Sequence, residues 1–192
     1  MAIVNDLLIL PADLPVPLDD GLCDHLEGIL LPSVLLLATD GTLVDLSRIP
    51  GRVALFVYPR TGRPGVPALV DNWNKIPGAR GCTPQTSGYR DLAAEFTKEG
   101  VSVFGMSSQD TEYQRELVER LHLPFLVLSD AELKLARTLS LPTFKVAGQE
   151  LIKRMAWVID AGRITKVFYP IFPPDESAAR LLSWIRVHPS AT

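Results

Sequence analysis

Cysteine is scarce in this chain of 192 residues: there are two, Cys23 and Cys82. Two cysteines cannot make a disulfide framework for a secreted protein of this length, so a reducing compartment is expected. Histidine is equally thin. His25, His122 and His188 lie far apart, and no cysteine pair has metal-ligand spacing, so the sequence offers no metal centre and implies no separate cofactor. There is no excess of positive charge: 19 Lys and Arg stand against 22 Asp and Glu, a net of −3, which argues against non-specific binding to nucleic acid or to an anionic membrane. Long apolar runs are also missing. Leu7–Leu10 has no basic segment before it and is too short for a signal sequence, and the run from Gly28 to Ala38, broken by Pro32 and Ser33, is too short to span a bilayer. The expectation is a soluble, cytoplasmic protein. There is no internal repeat and no low-complexity segment.

What the chain does have is apolar residues, 47% of the total, enough for one well-filled domain. Residues 1–27, with Pro11, Pro15 and Pro17 beside Asp19, Asp20 and Gly21, read as an N-terminal extension, and 28–190 as the domain. Asp40-Gly41 between two apolar runs signals a hairpin. Val53–Tyr58 is a continuous apolar run that fits a buried central strand. Five of the sixteen prolines fall between Pro59 and Pro84, marking a long stiffened loop over 59–81.

A helix is expected from Cys82 to about Glu99, stopped by Gly100. Val101–Met106 reads as a second buried strand, followed by a helix to about Leu121 that Ser107, Ser108 or Asp110 would cap. Phe125–Leu128 is a third strand. Ser129-Asp130-Ala131-Glu132 has the form of a capping box opening a helix through Leu139. Leu151–Asp160 holds a strand with Ile164–Phe168 as its hairpin partner, and Pro173-Pro174-Asp175-Glu176 opens the last helix. This order predicts an α/β fold, a mixed central sheet with helices on both faces and an N-terminal hairpin, whose site lies beyond the carboxyl ends of the central strands.

Cys82 opens the helix fed by the first of those strands. Thr83 suits the N-cap and Pro84 the first helical position, which would put the thiol against unpaired N–H groups and the positive end of the helix dipole. Arg80 adds positive charge. Such surroundings favour a thiolate, and Cys82 is the candidate nucleophile.

Several segments then match one family in order and spacing: Val53-Ala-Leu-Phe-Val-Tyr-Pro59, Gly81-Cys82-Thr83-Pro84 with Tyr89-Arg90-Asp91-Leu92, Val101-Ser-Val-Phe-Gly-Met-Ser-Ser108, Leu123–Asp130, Arg154-Met-Ala-Trp-Val-Ile-Asp160 and Gly162–Pro170. Over about residues 25–190 the chain resembles the thioredoxin fold and, more narrowly, the peroxiredoxins, with peroxiredoxin Q (bacterioferritin comigratory protein) as the most similar subfamily. The resemblance implies a thiol-dependent peroxidase acting on hydrogen peroxide and organic hydroperoxides. Cys82 matches the peroxidatic cysteine, which becomes a sulfenic acid. Arg154 matches the arginine that pairs with the thiolate and the peroxide oxygens.

Three departures accompany the match. The family places Pro seven and Thr or Ser three residues before the cysteine, and here those positions are Lys75 and Ala79. Tyr58-Pro59-Arg60-Thr61 looks like the start of that motif, followed by an insertion, so Pro59 and Thr61 are the candidates to fold back beside Cys82, with Thr61 donating a hydrogen bond to the peroxide. The subfamily's resolving cysteine often lies five residues on, where this chain has Ser87. Cys23 is the other thiol, either a resolving partner or an inert residue. Re-reduction would then fall to an external thiol: thioredoxin, glutaredoxin or glutathione. The assembly would be a monomer or homodimer. The alternative function is a peroxide sensor or redox relay with little turnover. A thioredoxin-type oxidoreductase is disfavoured because Gln85 occupies the second cysteine's place in a C-x-x-C motif.

Overall fold

The computed structural model describes residues 6–190; the first five residues of the expected N-terminal extension lie outside that range. The central sheet has seven strands. In chain order they are β1 (Leu35–Ala38), β2 (Leu43–Asp45), β3 (Arg52–Val57), β4 (Val101–Ser107), β5 (Leu126–Ser129), β8 (Met155–Asp160) and β9 (Arg163–Phe168). Their spatial order is β2-β1-β5-β4-β3-β8-β9. β3, β4 and β5 run parallel, while β1, β8 and β9 pair antiparallel to their neighbours. The helices are α1 (Cys82–Asp91), α2 (Ala93–Lys98), α3 (Thr111–Leu121), α4 (Lys134–Thr138) and α5 (Ser177–Val187). A separate two-stranded sheet pairs β6 (Thr143–Val146) with β7 (Gln149–Ile152).

β3 is buried along its whole length, which is why it reads as an uninterrupted apolar run. Its side chains alternate between two cores. Val53, Leu55 and Val57 join Met155, Trp157 and Ile159 in a layer with α4 and the N-terminal segments, into which Cys23 and Leu26 insert. Ala54 and Phe56 face the other way, with Tyr58, against α1, α3 and α5. The mixed sheet with helices on both faces is thus present as expected.

Aromatic rings fasten α1 to the sheet. Phe56 stacks on Tyr89 at 4.3 Å between centroids, and Tyr89 on Phe96 at 5.7 Å. Burying each ring contributes about 1.5–3 kcal/mol, with about 0.5–1.5 kcal/mol more for each such pair. This packing holds the N-terminus of α1 at the carboxyl end of β3.

Four sequence expectations need correction. The helix expected over 82–99 is two, because the backbone leaves helical geometry at Leu92 (φ −99°, ψ 7°). The N-cap of α1 is Gly81, not Thr83, because Gly81 turns left-handed (φ +103°) and brings the chain into the helix at Cys82. Pro84 still falls in the first turn, where its missing N–H costs nothing. The capping box at 129–132 does not form: Ser129 is in β5 and donates to the Gln109 carbonyl, while the Asp130 carboxylate accepts from the N–H groups of Leu135 and Ala136. Finally, residues 151–160 are split between β7 and β8, because Leu151 and Ile152 pair back on Phe144 and Thr143. Asp110, by contrast, caps α3 as anticipated, accepting from the Tyr113 N–H at 2.6 Å.

Gly81 carries a double requirement: a left-handed backbone, and a surface on which an added Cβ would come within 2.3 Å of the Pro174 ring and 3.0 Å of Leu10. Gly81→Ala should therefore cost about 1–3 kcal/mol for the backbone alone and more for the overlap. Gly65→Ala, with φ +76° but open space around the new carbon, should show only the first cost. Urea unfolding of both variants tests this; equal losses would refute the packing requirement.

Candidate active site

Cys82 is the first residue of α1 and only 3% exposed. Gly81 has no side chain with which to cap the helix, so the first-turn N–H groups keep their positive end turned towards the start of the helix. The sulfur lies 3.3 Å from Nη2 of Arg154 and 3.5 Å from the Ala79 carbonyl oxygen, to which the thiol donates.

Arg154 enters from the two-residue link between β7 and β8 and is itself 3% exposed. Its Nη2 shares its hydrogens among the carbonyls of Gly78 (3.1 Å), Ala79 (3.3 Å) and Arg80 (2.9 Å) as well as the sulfur. Nη1 donates to Gln85 Oε1. Among the described residues no carboxylate pairs with it, so neutral dipoles hold the guanidinium and its charge is not cancelled at the site. At 3.3 Å and an effective dielectric near 20, its attraction for a full negative charge on sulfur is about 5 kcal/mol.

A second tier of polar groups fixes this pair. The amide of Gln85, fully buried, reaches Ser177 Oγ through Nε2 at 3.4 Å, and Ser177 is also bonded to the Tyr89 hydroxyl at 3.1 Å. Gln85 entered the sequence reading only as the residue that replaces a second cysteine. Its link to Arg154 spans 69 positions, and no local pattern signals it. Tyr58 is wholly buried in the same packed cluster as Cys82. Burial pushes its hydroxyl well above the usual phenol range and the nearby Cys82 adds to this, against an opposing contribution from Ser107, so Tyr58 stays protonated.

Thr61 does return to the site. It lines the same cavity as Cys82, whose volume is about 470 Å³. Its hydroxyl and its N–H both donate to Gln109 Oε1 (3.1 and 3.0 Å), and Gln109 Nε2 donates back to the Thr61 carbonyl. The hydroxyl proton expected to serve a peroxide is thus held by Gln109, which leaves the Thr61 oxygen as an acceptor. Pro59 is buried just before it, at the end of the β3 segment. Residues of the inserted loop, among them Val66, Leu69 and Trp73, form one wall of the cavity, and Leu7 from the N-terminal segment forms part of another.

Cys23 lies apart from this site. It packs in the core on the opposite face of the sheet and is 4% exposed. Burial, with Asp20, Asp19 and Asp24 adding, pushes its thiol up to about 12. Ser87, on α1, is buried and its hydroxyl has no partner among the described residues. No group of three or more His, Cys, Asp or Glu among the described residues could hold a metal ion, and no described helix is long and apolar enough to cross a membrane.

A thiol held that high stays protonated throughout the neutral range, so Cys23 should resist alkylation. Brief treatment of the native protein with iodoacetamide at pH 8 should label Cys82, with Cys23 labelled only after denaturation. Peptide mass mapping reads the outcome, and equal labelling of both would refute the contrast.

Similarity to known proteins agrees with this geometry. Peroxiredoxin Bcp of Escherichia coli (strain K12) is 29% identical over 166 residues, covering 84% of this chain and 96% of that protein. The chloroplastic peroxiredoxin Q of Suaeda salsa is 26% identical over 162 residues; the matched region is 83% of this chain but 67% of that protein. For the putative chloroplastic peroxiredoxin Q of Oryza sativa subsp. indica the match is 28% identical and spans only 58% of the relative's length. Among solved structures, peroxidoxin BcpB from Mycobacterium tuberculosis superposes with a TM-score of 0.68 at 27% identity, covering 85% of this chain and 98% of that one. Xanthomonas campestris peroxiredoxin Q, at 17% identity and a TM-score of 0.65, shares the fold. Residues 26–182 match the Redoxin family, and the chain belongs to it.

Proposed function

We propose that this protein is a thiol-dependent peroxidase that reduces hydrogen peroxide and organic hydroperoxides through Cys82. The observation that carries the reading is the pairing of Cys82 with Arg154, 3.3 Å apart, at a helix N-terminus that opens on a cavity. The match to relatives named peroxiredoxin Q and Bcp supports it.

The Cys82 thiolate attacks the terminal peroxide oxygen. The S–O bond forms as the O–O bond breaks, and the leaving alkoxide or hydroxide takes a proton and departs as alcohol or water. Cys82 is left as a sulfenic acid. Negative charge spreads over the sulfur and two oxygens in the transition state, and a preset donor there lowers the barrier. Arg154 is that donor; its position, locked by three carbonyls and Gln85, needs no reorganisation during the reaction. Thr61 lines the same cavity and accepts a hydrogen bond from the peroxide's own O–H, because its proton is engaged by Gln109.

Reduction of the sulfenic acid requires a thiol from outside the chain. Ser87 has none to give, and Cys23 is protonated in the other core. The relay alternative needs no cavity for small molecules beside the cysteine.

Two substitutions test the reading. Cys82→Ser should abolish peroxide consumption. Arg154→Ala should slow oxidation of Cys82 by about 10²-fold or more, the scale for losing one such donor. Stopped-flow mixing with hydrogen peroxide, followed by sulfenic-acid trapping and mass spectrometry, measures both. An unchanged oxidation rate in Arg154→Ala, with an intact circular dichroism spectrum, would remove Arg154 from the mechanism.

A positioning role for Gln85 follows from the same network. Gln85→Leu, which removes the acceptor, should slow oxidation less than Arg154→Ala does, and Gln85→Glu, which keeps an acceptor but sets a carboxylate against the guanidinium, should slow it as well. A Gln85→Glu variant as fast as the native protein would show that the neutrality of the amide is not what Gln85 contributes.

A further inference from the structure

A hydroperoxide group is far smaller than the space above Cys82. The cavity, at about 470 Å³, falls in the range that holds small organic ligands. Arg60 and Arg63 are among the residues that line it. Arg63 lies 3.9 Å and Arg60 4.8 Å from the centre of the Tyr113 ring, so one aromatic side chain gathers two cations. Arg60 donates to Gln149 and, among the described residues, has no carboxylate partner. The carboxylate nearest to Arg63 is Glu116, at 4.0 Å, and Glu116 is already engaged by Arg120 at 2.6 Å. Among the described residues, then, neither Arg60 nor Arg63 has a carboxylate to itself. Such a surface accepts a ligand bearing carboxylates, through charge-assisted hydrogen bonds from the guanidinium forks.

The catalytic cycle has a place for such a ligand. Oxidised Cys82 needs an external thiol, and that thiol must bring its sulfur to the floor of this cavity, where Cys82 is 3% exposed. A cavity of about 470 Å³ is of the size that holds a tripeptide-sized thiol.

Building on the peroxidase reading, we propose that this cavity is the binding site for the reductant, a low-molecular-weight thiol carrying carboxylates, which Arg60 and Arg63 hold with its sulfur over Cys82. The thiol sulfur attacks the sulfenic sulfur; the S–S bond forms as the S–O bond breaks, and the hydroxyl leaves with a proton as water. A second thiolate then attacks the outer sulfur of the mixed disulfide. It departs as the small-molecule disulfide and leaves Cys82 as thiolate. The two electrons from two thiols balance the two accepted by the peroxide.

Glutathione is the probe. The protein is oxidised with one equivalent of hydrogen peroxide, mixed with glutathione or with its diethyl ester, and followed by mass spectrometry for the mixed disulfide. Per unit of thiolate, glutathione should react about tenfold faster or more, the scale of a lost charged hydrogen bond. In Arg60→Gln and in Arg63→Gln the advantage should shrink, and the loss in this step should exceed any loss in oxidation of Cys82 by hydrogen peroxide at least about tenfold.

Equal rates for acid and ester would overturn the proposal, as would variants that slow both steps alike. A preference for a carboxylate-bearing hydroperoxide over its methyl ester that vanishes in the variants, with none for glutathione over its ester, would assign the cations to the oxidant and also overturn it. Each of these outcomes leaves the peroxidase reading standing. Failure of hydrogen peroxide to oxidise Cys82 at all would remove that reading, and the proposal with it.

Discussion

The site depends on a guanidinium buried with no counter-ion among the described residues. Arg154 is nearly inaccessible, and a charge so placed is normally matched by a carboxylate. Here the match comes from dipoles: the carbonyls of Gly78, Ala79 and Arg80 and the amide oxygen of Gln85. Dipoles solvate the cation without cancelling it, and its Nη2 also faces the sulfur of Cys82. A carboxylate in their place would draw the positive charge away from the thiol. Three consecutive carbonyls can point at one guanidinium only if the chain curls round it. The curl is bounded by Gly78 (φ +77°) and Gly81 (φ +103°), and Gly81 also starts the helix. The same turn thus anchors the arginine and presents the cysteine.

The loop between Thr61 and Cys82 is long for a compact domain, and it is ordered because it brings its own small core. Trp73 and Ala79 bury against Leu151, with Leu69, Val70, Ile76, Phe144 and Val146 around them. Three of those eight residues, Phe144, Val146 and Leu151, come from the β6–β7 hairpin, whose Leu151 would otherwise lie bare. The loop and the hairpin therefore stabilise each other. The closure entropy of the longer loop is a minor cost, about 0.6 kcal/mol for each doubling of length, against about 1.5–3 kcal/mol for each large side chain buried. The arrangement also sets residues of the loop beside Cys82, so that both line one cavity.

What was legible in the sequence divides by range of interaction. Val53–Tyr58 announces itself because a strand buried on both faces must be apolar throughout. Cys82 was found because it is rare and sits at a loop-to-helix junction flanked by Gly and Pro. Those are local signals. Arg154 carries none, and only the family resemblance separated it from Lys153. Gln85 and Gln109 were not recognised as site residues, since an amide becomes informative only once its partner is known, and their partners lie 69 and 48 residues away. The misplaced cap is a near miss of another kind: Thr83 had the right chemistry, but the left-handed turn at Gly81 came first and took the chain into the helix before a threonine cap was needed. The second sheet was missed because Thr143–Val146 is only four residues long, is partly buried, and packs against the inserted loop rather than a main core, so its short polar–apolar alternation does not stand out.

The altered spacing before Cys82 has a geometric resolution. In sequence, the positions where a proline and a hydroxyl are expected hold Lys75 and Ala79, which suggests a damaged site. In space, Thr61 and Cys82 line one cavity. The inserted segment leaves the sheet at the end of β3 and returns at the start of α1, and those two ends are neighbours whatever lies between them: β3 is fixed by its pairing to β4 and β8, and α1 by the stacking of Tyr89 on Phe56. An insertion whose ends are held together by the rest of the fold does not have to displace the residues that flank it. What the proposed mechanism asks of Thr61 is a hydroxyl at a point in space, with its orientation set by Gln109. Counting residues back from the cysteine is only a proxy for that requirement, and it fails as soon as the loop between them grows outward.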